Sequence, residues 1–183
     1  MAYEENVVDI TSEQSEYLYR EGMKLYRARK YEKALKNFML AGLYDSAADA
    51  QYMVGVCYDE GKGVQADYVT AVFFWEIAAR YNPHACLKLG YCYLEGHGAE
   101  RSGKKAVKWF QETIGLCQEK RNVLKVCARN RYMGRGEARR GLKKVAATRK
   151  AAKKQLLLLA KSADEDTKNA AQEAWKSVKI WYR

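Results

Sequence analysis

The 183-residue chain contains a single proline, Pro83, and two histidines, His84 and His97. With one proline, almost nothing in the chain would interrupt a helix, and 48% hydrophobic residues fit a folded, mostly helical protein. Neither histidine has partners at metal-ligand spacing, so no metal site is expected and no cofactor is implied. The five cysteines, Cys57, Cys86, Cys92, Cys117 and Cys127, are odd in number and never form CxxC. That speaks against a closed disulfide framework and a zinc ribbon, and the reading that fits is a reducing cytoplasm. The longest aliphatic run, Leu156 to Leu159, is far too short to span a bilayer. The amino terminus, "MAYEENVVDITSEQ", is acidic and lacks the basic and apolar regions of a secretory signal, so a cytoplasmic chain without a membrane span is expected.

Charge is abundant but unevenly placed. The formal net charge is +11. Residues 1–114 hold 14 basic and 16 acidic side chains, whereas residues 115–183 hold 19 and 6. Most of the excess falls in residues 119–154, where only Glu119 and Glu137 oppose a dense run of Arg and Lys.

The first half repeats itself. "GVCYDEGKGV" begins at Gly55, and 35 residues later "GYCYLEGHGA" begins at Gly90, with six of ten positions identical. The same shift superposes Ala50 on Ala85, Ala71 on Ala106 and Trp75 on Phe110. Each unit reads as a helix, a turn with two glycines one residue apart, and a second helix. Gly61, Gly63, Gly96 and Gly98 are expected to supply positive φ in those turns, while small residues let the paired helices approach. An earlier unit, "EYLYREGMKLYRARKYEKALKNFMLA", has the same parts with a shorter turn: Gly22 to Ala34 is 12 residues, against 16 from Gly55 to Ala71.

These frames, "A…G.CY.EG.G" from Ala50 and Ala85 with "DY.TA..FWE.AA" and "KKAVKWF" after them, resemble the tetratricopeptide repeat and its close relative, the Sel-one-like repeat. The resemblance covers roughly residues 16–114. It implies an all-α fold: a short right-handed α-solenoid of three helix-turn-helix units, preceded by an N-terminal segment (1–15) and closed by basic C-terminal helices (115–183). In that second part a helix is expected to end near Met133. A stripe of Leu142, Val145, Ala152, Leu156, Leu159 and Ala163 lies opposite a lysine-rich face, interrupted only by Arg149. "SADE" at Ser162 reads as a capping box that starts a last helix, with Ala171, Ala174, Val178 and Trp181 on one side. This hairpin is expected to cover the apolar end of the array.

No catalytic constellation emerges. Cys86 and Cys92 fall at packing positions, His97 lies in a turn, and "GKG" and "GRG" extend to no phosphate loop. Two surfaces remain. The resemblance implies a concave groove lined by the first helix of each unit, which is expected to receive a partner peptide or protein. The positions facing it include Tyr19, Met23, Tyr26, Tyr52, Val56, Asp59, Leu87 and Tyr91, together with Glu16, Asp49, His84 and Leu94; packing against the terminal hairpin is the alternative for the tyrosines. The second surface is the basic block, where Arg129, Arg131, Arg135, Arg139, Arg140, Lys143 and Lys144 are candidates for contact with an anionic partner: nucleic acid, an acidic protein or an anionic membrane. Tyr132 stands beside them as one stacking group. The expectation for function is a non-enzymatic adaptor, with nucleic-acid association as the alternative.

Overall fold

The computed structural model describes residues 11–44, 47–162 and 164–180. Among these, eight helices follow one another: α1 (Ser12–Arg27), α2 (Tyr31–Ala41), α3 (Ala48–Glu60), α4 (Tyr68–Ala78), α5 (Pro83–Glu95), α6 (Gly103–Arg129), α7 (Arg135–Leu159) and α8 (Glu165–Ile180). Each helix packs on the next, which is the layout of a short α-solenoid.

Three antiparallel pairs, α1 with α2, α3 with α4 and α5 with α6, are locked by the same device. A glycine in the first helix leaves a notch, and an aromatic ring of the second fills it. Gly22 faces Phe38, Gly55 faces Trp75 and Gly90 faces Phe110, each so closely that a β-carbon would collide with the ring. The three rings are buried to 0%, 1% and 0% exposure for Phe38, Trp75 and Phe110. Burial of each ring contributes on the order of 2–3 kcal/mol, and any side chain at the notch forfeits it.

The turns join one pair to the previous one. Gly61, Gly63, Gly96 and Gly98 have φ of 64°, 80°, 83° and 70°, as the sequence predicts. Gly63 lies against the backbone of Tyr31 and Glu32 at the start of α2, and Gly98 lies in the same way against Tyr68 at the start of α4. Positive φ and backbone contact at these two sites both demand glycine. The first turn has no glycine, and there Arg29 takes φ 59° itself. Caps set the helix starts: Thr11 forms a capping box with Gln14, Asp67 accepts from Val69 and Thr70, and Asn82 accepts from His84 and Ala85 with Pro83 in the first turn.

The structure moves the end of α6 and the start of α8 from where the sequence suggests them. α6 runs unbroken through residue 114, from Gly103 to Arg129, because Gly115 alone does not outweigh the helix formers around it. Its end, expected near Met133, comes at Arg129, and the following turn holds Arg131 at φ 60°. For α8 the cap is Asp164 rather than Ser162: its carboxylate accepts from the Thr167 amide at 3.1 Å and from the Thr167 hydroxyl, while Ser162 accepts from the Asp164 amide at 3.2 Å.

The C-terminal helices cover the third pair. Val107, Phe110 and Ile114 of α6 form one core with Ala152, Leu156 and Leu159 of α7 and Ala171, Ala174 and Val178 of α8. In the α7 stripe, Thr148 is buried and Leu142 only partly so. The expected Ala163 and Trp181 lie outside the described residues.

Candidate functional site

α7 and the second half of α6 form an arm that turns back toward the open end of the array. Between this arm and the first helices of the first two pairs is a hollow of about 600 Å³. Its floor and walls are largely apolar: Tyr19 and Met23 from α1, Tyr52 and Met53 from α3, Leu116, Val123 and Leu124 from α6, and Val145 from α7. Asp49, Glu119, Lys120 and Lys144 also line it. Lys120 reaches across from the arm to Asp49 at 4.0 Å. A smaller hollow of about 190 Å³, lined by Ser15, Glu16 and Ala47 among others, adjoins it and shares Tyr19, Asp49, Tyr81 and Lys120.

The aromatic walls are held in place. The Tyr19 ring lies 6.0 Å from Phe38, and Tyr52 lies 6.0 Å from His84. Burial, with help from Asp49, pushes the Tyr19 hydroxyl up to about 12, and burial also raises that of Tyr52; both therefore stay protonated donors at neutral pH. The His84 ring carries the junction of array and arm, with Nδ1 3.2 Å from Thr148 Oγ1 of α7. Burial and the neighbouring Lys144 and Lys120 lower its pKa, so the ring remains neutral. Asn82, 1% exposed, joins Asp49 to this corner by donating to its carboxylate at 2.7 Å.

The structure separates the expected groove residues into three sets. Tyr19, Met23 and Tyr52 come together in the hollow, with Asp49 and His84. In the middle of the array, Val56 is buried in the core, Asp59 is ion-paired with Lys88 at 2.8 Å, and the Tyr26 hydroxyl donates to Glu60 and accepts from Lys62, each at 3.0 Å. At the third pair, Leu87, Tyr91 and Leu94 pack against the core shared with α7 and α8. Tyr91 sits edge-on to Phe110 with centroids 5.4 Å apart, and its hydroxyl accepts from Gln155 of α7 at 3.3 Å. There the chain's own α7 occupies the concave face. The arm's contribution to the hollow was not foreseen, although Leu116, Val123 and Leu124 stand out in the sequence as apolar positions in a basic stretch.

The basic candidates lie along the arm. Arg129, Arg131, Arg135, Arg139, Arg140, Lys143 and Lys144 are all exposed, and Lys144 also borders the hollow. Tyr132, at the arm's tip, is 78% exposed.

The cysteines are placed for packing. Cys57, Cys86, Cys92 and Cys117 are buried, and Cys127 is partly exposed. Burial pushes the Cys86 thiol up to about 12 and those of Cys57, Cys92 and Cys117 to about 11, so they are thiols and not nucleophilic thiolates at neutral pH. Among the described residues, no cluster of His, Cys, Asp and Glu is placed to hold a metal, and no helix is long and apolar enough to cross a membrane.

Paired helices locked by glycine notches, stacked through glycine turns, define an all-α helical-repeat protein. Residues 48–80 and 83–113 match the Sel1 repeat, so the middle of the chain carries two such repeats. Two solved structures share its fold. A Sel1 repeat protein from Oxalobacter formigenes is 24% identical with a TM-score of 0.51, over 85% of this chain and 69% of that one. The protective antigen c5321 of uropathogenic Escherichia coli, which displays an SLR fold, is 20% identical with a TM-score of 0.52, over 91% of this chain and 32% of its own length. This chain thus spans about a third of c5321. The pair α1 and α2 lies outside both matched stretches but repeats their notch and ring. Sel1 repeats are generally protein–protein interaction scaffolds and typically non-catalytic.

Proposed function

We propose that the chain is a non-enzymatic adaptor that takes the apolar face of a partner peptide or protein into the hollow between the array and its arm. The observation that carries this reading is the hollow itself. Tyr19, Met23 and Tyr52, packed on the core but only partly buried, line about 600 Å³ of open space together with charges of both signs. Tyrosine and methionine suit such a surface: the ring buries a large area with little rotamer entropy, and the thioether adapts to irregular partners. The basic arm supplies one wall, so array and arm act as a single binding unit of residues 16–183.

Peptides selected from a random display library test this directly. Their binding should fall at least about tenfold in a Met23→Glu, Val123→Glu double variant, whereas Phe73→Ser on α4, away from the hollow, should leave it unchanged. Selected peptides that ignore the double variant would refute the reading.

A further inference from the structure

We propose that the outer face of the arm binds single-stranded nucleic acid, with its phosphates on a line of cations along α7 and bases stacked on Tyr132 and Trp175. On α7, Arg139, Lys143, Lys150 and Lys154 are exposed and share one face by helical periodicity. They are separated by about 6 Å and about 10 Å along the axis, steps that one or two nucleotides of an extended strand can follow.

Each end of the line carries an aromatic ring. Tyr132, 78% exposed, precedes α7 at the tip. At the far end, Trp175 of α8 lines a hollow of about 410 Å³ with Lys150, Lys154, Lys161 and the exposed Leu157 and Leu158. Lys153 stands 5.8 Å over the Trp175 ring, marking a face that a base can take while the ammonium turns to the adjoining phosphate. Burial, and to a smaller extent the nearby Arg149, lower the pKa of Lys153. A second hollow, of about 370 Å³, is lined by Arg121, Lys125 and Arg149 between α6 and α7.

Three anionic partners compete for such a face, and two fit poorly. A membrane requires apolar side chains that enter the acyl region along the helix, but α7 buries Val145, Ala152 and Leu156 in the protein, exposes aliphatic side chains only at Leu157 and Leu158 in its last turn, and from Arg135 to Lys154 exposes only Arg, Lys, Gly, Ala and Glu137. An acidic protein surface uses the cations and leaves the two rings idle. Unpaired bases use both, since stacking platforms interleaved with cations hold a strand without reading its sequence. A duplex keeps its bases away from the rings.

Fluorescence anisotropy with a labelled 12-nucleotide oligouridylate, its DNA counterpart, an RNA duplex of equal length and polyglutamate tests the proposal on the whole protein. The single strands should bind at least about fivefold more tightly than the duplex, and Tyr132→Ala should weaken them about tenfold at an unchanged melting temperature. Charge reversal by Arg139→Glu, Lys143→Glu and Lys150→Glu should abolish binding, and the corresponding triple alanine variant should flatten the salt dependence by about two in the slope of log K against log salt. RNA and DNA strands binding alike supports a platform that senses stacking and charge alone, and a preference for either supports the same site with added sugar contacts. Polyglutamate binding as tightly as the strands, vesicles of anionic lipid displacing them, a duplex binding equally well, or no binding at all would each overturn the proposal.

Discussion

The repeat array and the arm are built from the same kind of helix by opposite means. In the array, every pair depends on a near-atomic fit of ring to notch, and charges of both signs are mixed. In the arm, the helices meet through a narrow stripe of small and aliphatic side chains, and the exposed surface is rich in cations. Gly90 cannot accept a β-carbon without displacing Phe110, whereas Gly134 at the arm's tip has nothing within 4 Å. A region specified by steric fit tolerates little change in sequence. One specified by a stripe tolerates much and leaves its surface available for binding.

The largest contrast should appear at glycine. Gly98→Val meets both positive φ and the Tyr68 backbone, and should destabilise the fold by about 3 kcal/mol or more; Gly136→Val in the arm should change stability by no more than about 1 kcal/mol. Chemical denaturation measures both, and equal effects would erase the distinction.

Tyrosines of the concave face should divide next. Tyr91→Ala removes a ring packed on Phe110 and the bond from Gln155, and should destabilise the fold by about 2 kcal/mol. Tyr52→Ala should reduce peptide binding about tenfold with a smaller loss of stability. A reversed order would mean that α7 does not seat on Tyr91.

A smaller effect is expected from pH at the junction. Folding lowers the His84 pKa, so between the folded and unfolded values the unfolded chain binds more protons. The contribution is intact above the unfolded value and is lost as pH falls through the folded one. Denaturation midpoints should therefore drop less between pH 7.5 and 5 in His84→Gln than in the parent chain. An identical drop would remove His84 from the account.

Thiol labelling should show the contrast without perturbing the fold. Cys127 in the arm should react first, and Cys57 and Cys86 only at a rate limited by unfolding. Rapid native labelling of Cys86 would place it outside the core.

The array was legible in the sequence because its fit depends on residue types that little else can replace. Gly55 with Trp75, Gly90 with Phe110 and the turn glycines recur at one spacing, so periodicity alone exposes them. The first pair could be aligned through Gly22, Ala34 and Phe38 despite its shorter turn. The hollow was half legible. Counting from the notch glycines places Tyr19, Met23 and Tyr52 on the concave face, but says nothing about where the chain itself returns. That α7 takes the third pair's share of the face, leaving Leu87 and Tyr91 beneath it, depends on the path of the arm, and no local signal encodes that path. The continuity of α6 was hidden for a related reason: the change in charge pattern after residue 114 looks like a boundary, yet the backbone responds to helix propensity and not to charge. Arg29 and Arg131 at positive φ are equally silent, since neither is a residue type that favours that conformation.

The unbroken α6 also governs how such a molecule can lengthen. Its first half completes the third pair and its second half is already the arm, so a 35-residue block inserted directly after residue 114 would cut α6 in two. The short connection between Ala78 and Pro83, where Asn82 caps a new helix, is a seam that accepts such a block. An additional repeat inserted there would carry its own notch, ring and glycine turn, and would leave the last pair and its covering helices together. Growth would then proceed from within the array, with the arm carried outward as a fixed end piece and the hollow widened by each added unit.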